Sequence, residues 1–362
     1  MENKAKIYIG FITYGELTAK YLPYFLHSLK EQDFKDFKIL AIDNSETQEN
    51  ENAKYIRGNL PEVDLKWTGK NLGFAKAFNL MINQAIEAGA EYFLSLNVDM
   101  IFEANMVEQL IRAMESTENC AAAQAKILKW DFYPIKSQDS SLGAQSAFNG
   151  VNNHKKTNQI DSLGLALNKE HRFYDLGQGE IDQLSLAEKK EVFGFTAAAV
   201  LLNLKALRDI AFDNGKYKEY FEELKFMYKE DCDLSYRLRL AGWKIILAFN
   251  AVAYHNRTVA AKGKSNLAIA LNRKNKNKAI KQWSFLNQCI LLLKLKNLPF
   301  SFSVKLATAW YQFKSLIFAL LFEQFLFKEL IKLWQIRSEI KKRRECLKIS
   351  VGIREIEKFM QR

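Results

Sequence analysis

Chemistry in this chain is most legible where polar residues close apolar runs. Asn97-Val98-Asp99 follows such a run and sets two oxygen-bearing side chains two residues apart. Oxygen donors at that spacing can reach one hard divalent cation, Mg2+ or Mn2+, with phosphate oxygens and water completing the shell. The same triplet also reads as an ordinary turn, which Asn and Asp favour. His255 follows another apolar run; a neutral imidazole there can ligate a metal or serve structurally. Asp43 closes a third run, where a carboxylate can accept a bond from a nucleobase or ribose, or simply open a loop. Glu230-Asp231-Cys232-Asp233 begins a helical pattern. Carboxylates in a first turn suit the helix dipole, and one held near a hydroxyl can also act as general base. Asn71-Leu72-Gly73-Phe74-Ala75-Lys76 begins another helix. Its N–H groups favour a phosphate that Gly73 lets approach, with a plain Asn cap as the alternative.

These residues need elements to hold them. Ile7–Thr13 is a short continuous apolar run, as expected of a buried parallel strand. Helical spacing follows over 18–31, then strands over Phe37–Ile42, Val63–Trp67 and Tyr92–Leu96, with a helix over Leu72–Ala88 stopped by Gly89. Residues 131–190 are rich in Ser, Asn, Gln and Gly and read as an irregular insertion, with short hairpins near Ile160–Leu167 and Arg172–Leu176. Val192–Asn203 reads as a buried strand, Asp231–Ala241 as a helix, and Trp243–Ala253 as a strand with His255 just past it. Alternating strands and helices predict a doubly wound α/β sheet covered on both faces. Ligands in such sheets bind beyond the carboxyl ends of strands, where Thr13, Asp43 and Asn97–Asp99 all fall.

Composition narrows the function classes. Apolar residues make up 48% and charged residues 26%, which suits a folded domain and excludes wholesale disorder. The net charge of +12 is uneven: residues 262–362 hold 22 Lys/Arg against 6 Asp/Glu, leaving the first 261 residues at −4. The four cysteines lie far apart, with neither metal-ligand spacing nor a disulfide framework, as expected in a reducing cytoplasm. No signal peptide and no membrane-spanning run is expected. A nucleic-acid binder is disfavoured, because the basic tail lacks aromatic-basic interleaving on a known module.

Taken in order, the motifs resemble family 2 glycosyltransferases of the GT-A fold, in particular rhamnosyltransferase-like and galactofuranosyltransferase-like members. The carrying residues are Ile9–Tyr14, Ala41–Ser45, Asn71–Ala75 with Asn79, Leu96–Asp99, Phe193–Ala199, Glu230–Leu234 with Arg237 and Gly242, and His255. The resemblance spans about residues 6–258. It implies a nucleotide-diphospho-sugar transferase sheet over 1–260, Rossmann-like and mixed, with 131–190 as insertion and acceptor region. A basic amphipathic helical region follows over 261–362. It implies that Asp43 binds the base, that Thr13 and Tyr14 line the base and ribose pocket, and that Asn71, Gly73 and Phe74 wall the nucleotide. Asp99 and His255 would hold Mg2+ or Mn2+ with Asn97 assisting. Asp231 would be the general base with Glu230 beside it, and Phe195, Thr196 and Ala197 would form the acceptor-side loop.

The implied reaction is inverting transfer from a dTDP-, UDP- or GDP-sugar to a glycan or lipid-linked glycan of a bacterial surface polysaccharide. Two positions depart from the family pattern. Asn97 stands where Asp-x-Asp has its first carboxylate, and Gly15 follows Tyr14 where Asn is more usual. The missing carboxylate motivates an alternative, a degenerate GT-A scaffold that binds without transferring. The tail has two readings as well. It can lie at the cytoplasmic face of the inner membrane with Trp310 and Tyr311 inserted, or pack as a helical subdomain or dimer contact. Lys341-Lys-Arg-Arg344 reads as a solvated charge run.

Overall fold

The structure, a computed structural model, describes residues 5–132, 154–183, 189–257, 273 and 277–361. Its centre is a ten-stranded mixed sheet. β1 (Ile7–Thr13) runs parallel to β2 (Phe37–Asp43), with Thr13 opposite Asp43, and β2 runs parallel to β3 (Asp64–Trp67). On the other side β1 runs parallel to β4 (Tyr92–Leu96), followed by the short β5 (Met100–Phe102). β6 (Cys120–Phe132) carries β7 (His154–Ser162) as an antiparallel partner. A separate hairpin joins β8 (Leu165–Asn168) to β9 (Phe173–Asp175). β10 (Lys189–Glu191) lies at the sheet edge, and β11 (Ala199–Asn203) sits antiparallel between β4 and β6. β12 (Phe212–Asp213) and β13 (Lys218–Glu219) form a small ribbon, and β14 (Lys244–His255) runs parallel to β6. The carboxyl ends of β1, β2, β4, β6 and β14 and the amino end of β11 therefore share one edge.

The helices of the first part are α1 (Gly15–Ala19), α2 (Leu22–Lys30), α3 (Glu51–Asn59), α4 (Gly73–Glu87), α5 (Met106–Glu115), α6 (Leu204–Asp209) and α7 (Glu230–Leu240). Strand side chains alternate, so each sheet face builds its own core. Ile7, Ile9 and Phe11 pack with Phe25 of α2 and Leu110 of α5, whereas Tyr8 packs with Leu40, Ile42 and Phe78 of α4 on the opposite face. Both faces are thus covered, which is why these strands read as unbroken apolar runs. Gly10 is required for packing, because a Cβ there would overlap the Phe93 ring.

Several sequence expectations need correction. The stretch 18–31 is two helices, α1 and α2, rather than one. Val192–Asn203 is strand only from Ala199, because the chain turns aside between Val192 and Ala198 to bond Leu165 through Gly194. The insertion begins later than expected: Cys120–Phe132 is a sheet strand, and Asn158, Gln159, Ile160 and Asp161 belong to its neighbour. The two expected hairpins are one, β8–β9. His255 ends β14 rather than following it. The expected insertion residues 133–153 and 184–188 lie outside the described residues.

The C-terminal region comprises α8 (Lys278–Leu295), α9 (Phe302–Phe322), α10 (Phe327–Gln335), α11 (Arg337–Glu345), α12 (Ile353–Glu357) and β15 (Met360–Gln361). It shares a core with the first part: Leu291, Leu295, Phe300 and Ile356 pack with Leu165, Phe173 and Tyr236. β15 adds parallel to β8. The 341–344 charge run is not uniformly solvated. Lys341 and Lys342 are exposed, but Arg343 is buried against Glu219 and Glu222. Among the described residues, no helix is long and apolar enough to cross a membrane.

Candidate functional site

β5 is what brings Asp99 to His255. It pairs antiparallel with β14 so that Met100 sits opposite His255. The Asp99 carbonyl accepts from the Asn256 amide at 2.9 Å and from the Trp130 indole at 3.1 Å, which fixes the turn between β4 and β5. Asp99 Oδ1 then lies 3.2 Å from His255 Nε2. The other ring nitrogen, Nδ1, lies 2.9 Å from the fully buried carboxylate of Asp161. Burial disfavours the imidazolium, but Asp99 and Asp161 outweigh it and push the His255 pKa up to about 9.

A carboxylate behind one ring nitrogen fixes the histidine's orientation and makes the other a better ligand. With Nδ1–H donating to Asp161, Nε2 is left facing the partly exposed Asp99 carboxylate. This donor set, one imidazole and one carboxylate, suits a hard divalent cation that completes its shell with phosphate oxygens and water. Among the described residues, no group of three or more His, Cys, Asp or Glu is placed to hold a metal without such help.

Polar contacts continue from this centre towards α7. Arg257 Nε lies 3.3 Å from Asp161, and its Nη1 lies 2.8 Å from Asp175 on β9. Asp231 is close enough to both Arg257 and Asp175 to interact with their charges. The Asp231 carboxylate accepts the Cys232 amide at 2.7 Å and a backbone bond from Ala197. Its pKa is raised, chiefly by burial and further by Asp175, while those amides pull the other way. The acceptor-side segment is held from behind. The Thr196 amide donates to Gln124 at 2.8 Å, the Phe195 amide donates to Ser235 at 3.2 Å, and the Phe195 ring is fully buried.

The approach to α7 is strained. Tyr228 and Lys229 both adopt left-handed backbone, φ 76° and 65°, although neither is glycine. Each such residue costs about 1–2 kcal/mol. Asn287 of α8 holds the pair by donating to the Met227 and Tyr228 carbonyls at 2.8 and 2.7 Å. Buried Asn79 of α4 anchors the preceding loop, accepting from the amides of Tyr220 and Phe221 at 3.0 and 2.8 Å.

Glu230 is buried, and its Oε2 has no hydrogen-bond partner. Burial first, and the neighbouring Asp231 charge second, push its pKa up to about 8. Because the folded value exceeds the ordinary 4.5, the native state keeps a proton that the unfolded chain loses. Stability from this group is therefore full below pH 4.5 and drains away as pH rises through about 8. Glu230→Gln should flatten that decline and melt higher than wild type at pH 8, with little difference at pH 4.5. Parallel pH slopes in thermal melts would contradict this account.

On the nucleotide side, the expected residues are placed differently from one another. Thr13 and Asp43 are buried at adjacent strand ends, joined at 3.0 Å. Asp43 also accepts Ser45 and Asn50, so both its oxygens already have partners within the chain. Tyr14 is exposed at the rim. Asn97 is half-buried, with its amide on the Ala198 carbonyl at 2.9 Å. The first amides at the start of α4 are taken within the chain. Leu72, Gly73 and Phe74 donate to Asn44, Asn71 and the Phe226 carbonyl at 3.1, 2.8 and 3.0 Å. Gly73 is needed here because its φ is +73° and a Cβ would meet that carbonyl at 2.5 Å. The close approach expected from a phosphate is thus taken by the chain itself. Phe74 packs on Phe78 and Phe221, with ring centres 4.4 and 5.5 Å away.

Residues 8–170 match the model of glycosyl transferase family 2. An uncharacterized glycosyltransferase of Acanthamoeba polyphaga mimivirus is 28% identical over 150 residues, covering 35% of this chain and 59% of its own length. The crystal structure of GalNAc-T7 with UDP, GalNAc and Mn2+ superposes at a TM-score of 0.51 with 10% identity, over 80% of this chain and 52% of its own. That likeness is one of fold. In both comparisons the match spans little more than half of the other protein.

Proposed function

We propose that this chain, a GT-A fold whose residues 8–170 are a glycosyl transferase family 2 domain, moves one sugar from a nucleotide-diphospho-sugar to an acceptor hydroxyl. The observation that carries this reading is the continuous polar path from Asp99 through His255, Asp161 and Arg257 to Asp175, beside Asp231. It sets a centre suited to a diphosphate next to a carboxylate suited to a proton.

In this reading Thr13, Tyr14 and Asp43 form the base and ribose end, and Asn97 supports the diphosphate. Mg2+ or Mn2+ held by Asp99 and His255 would offset the charge of the departing diphosphate. Asp231 takes the proton from the acceptor hydroxyl. That oxygen bonds to the anomeric carbon as the carbon–diphosphate bond breaks, and the electron pair leaves with the nucleoside diphosphate. Attack from the face opposite the leaving group inverts the centre. The raised pKa of Asp231 makes it a stronger base than an exposed aspartate. Arg257 compensates the negative charge shared by Asp161, Asp175 and Asp231. The acceptor fitting this family reading is a glycan or lipid-linked glycan of a bacterial surface polysaccharide.

Calorimetry with Mn2+ and a panel of UDP-, dTDP- and GDP-sugars tests the proposal. At least one donor should bind with the metal. Asp161→Asn should weaken Mn2+ about 10- to 100-fold, because it removes the carboxylate that fixes the His255 ring. Failure of every donor to bind would favour the degenerate scaffold, which the Asn at position 97 motivates.

A further inference from the structure

α9 is 21 residues long, and only Val304 and Ala319 are buried in it. Phe302, Leu306, Trp310, Phe313, Ile317 and Leu320 recur every three or four residues, and each leaves at least 41% of its surface exposed. At about 100° per residue these positions fall on one stripe, with Lys305 and Lys314 along its two borders. The opposite side of the helix does the packing. Val304 enters the shared core, the Thr308 hydroxyl donates to the Lys169 carbonyl at 3.1 Å, and Arg172 lies 5.1 Å over the Tyr311 ring. α10 also exposes Ile331 and Trp334, and Arg337 stacks 4.0 Å over that indole.

We propose that the α9 stripe docks in the headgroup region of an anionic bilayer, with the helix lying in the membrane plane. Orientation follows from the packing. The inner face is committed to protein, so the helix cannot be surrounded by lipid, and bordering lysines suit a helix whose apolar side alone enters the interface. The choice of occupant follows from charge. Residues 262–362 carry 22 Lys/Arg against 6 Asp/Glu. A second copy of the chain would bring the same positive field to the contact, whereas anionic lipid brings the opposite one. The placement also concerns the acceptor, a link that rests on the proposed transfer. α9 is seated on Lys169 and Arg172 between β8 and β9, and β9 ends at Asp175, the partner of Arg257. A lipid-linked acceptor lying in that bilayer would therefore arrive on the side of Asp231.

The test is flotation of the full chain with vesicles of phosphatidylcholine alone and of phosphatidylcholine with phosphatidylglycerol. Wild type should float only with the anionic vesicles, and less so as salt rises. Trp310→Ser combined with Phe313→Ser should lower vesicle affinity by about tenfold or more, and Lys305→Glu with Lys314→Glu should act in the same direction. These side chains are exposed, so melting temperatures should not move. Wild type that stays unbound, or a serine variant that floats equally well, overturns the proposal. So does a wild-type dimer that the serine variant converts to monomer, which would assign the stripe to a second copy. None of these readouts needs donor or turnover, so this proposal and the transferase reading can fail separately.

Discussion

Asp231→Asn is expected to lower transfer by about 10²- to 10⁴-fold while leaving donor binding intact, since the change removes a proton acceptor and keeps the shape. Asn can still accept the Cys232 amide that holds the wild-type carboxylate at 2.7 Å, so the loop from Phe195 to Ala197 should keep its place. Stability should rise slightly if it changes at all. The carboxylate pKa is raised by burial and by Asp175, so ionised Asp231 costs the native state free energy that a neutral amide avoids. For the same reason the wild-type rate should rise with pH along an acidic limb that lies above the ordinary aspartate range of 3.8. Steady-state rates across pH, with donor affinity measured separately, check all three points. Retained turnover in the Asn variant would remove Asp231 as the base and turn attention to Glu230. Glu230 is the less suitable group, because it is buried with one oxygen unpartnered and holds its proton up to about pH 8.

How much of this was legible depends on how each residue is buried. β1, β2 and β4 are covered by helices on both faces, so their sequences are unbroken apolar runs and their polar end residues stand out. Thr13, Asp43 and Asp99 could be read in that way, and His255 from the apolar run of β14. Asp161 could not. It lies in Gln159-Ile160-Asp161-Ser162, a polar stretch read as the start of a short hairpin in an irregular insertion, and is buried where β7 pairs with β6. The one local hint is the apolar recurrence at Ile160, Leu163 and Leu165 around it. β5, at three residues, is too short for any period to show, yet it sets the register of Asp99 against His255. The start of α4 was ambiguous for a different reason. A glycine at a helix start has the same sequence whether a phosphate or a backbone carbonyl comes close, and here Phe226 supplies the carbonyl. The tail misled through charge: Lys294 and Arg343 look like solvated residues of a basic segment, but both are buried.

Those two buried cations make the largest stability effect fall two residues from the proposed base. Asp233 is fully buried and lies 2.8 Å from Lys225, 2.7 Å from Lys294 and 2.9 Å from Arg237. Lys294 lies 2.6 Å from Glu222, and Arg343 lies 2.6 Å from Glu222 and 2.9 Å from Glu219. Burial alone would raise the Asp233 pKa, but the surrounding cations hold it well below the usual value. Its stabilising charge is thus present above pH 3.8 and lost only as pH falls through the depressed value. Asp233→Asn removes the carboxylate that Lys225 and Lys294 share, leaving Lys225 without a direct counter-ion and Lys294 with Glu222 alone, a loss of about 3–5 kcal/mol. Against a typical total of about 5–15 kcal/mol, that is enough to decide whether the chain folds. Arg343→Met strands Glu219 instead, leaves Glu222 with Lys294 alone, and asks the same question from the C-terminal side. Urea unfolding at neutral pH should show both midpoints falling sharply while Asp231→Asn stays near wild type. The contrast matters because α8 and α11 reach the site through this network: the same α8 that carries Lys294 carries Asn287, which holds the strained backbone at Tyr228 and Lys229 just ahead of Asp231. If Asp233→Asn unfolds at the wild-type midpoint, the ion pairs are not what couples the helical region to the sheet, and the apolar core around Phe173 and Leu295 must suffice.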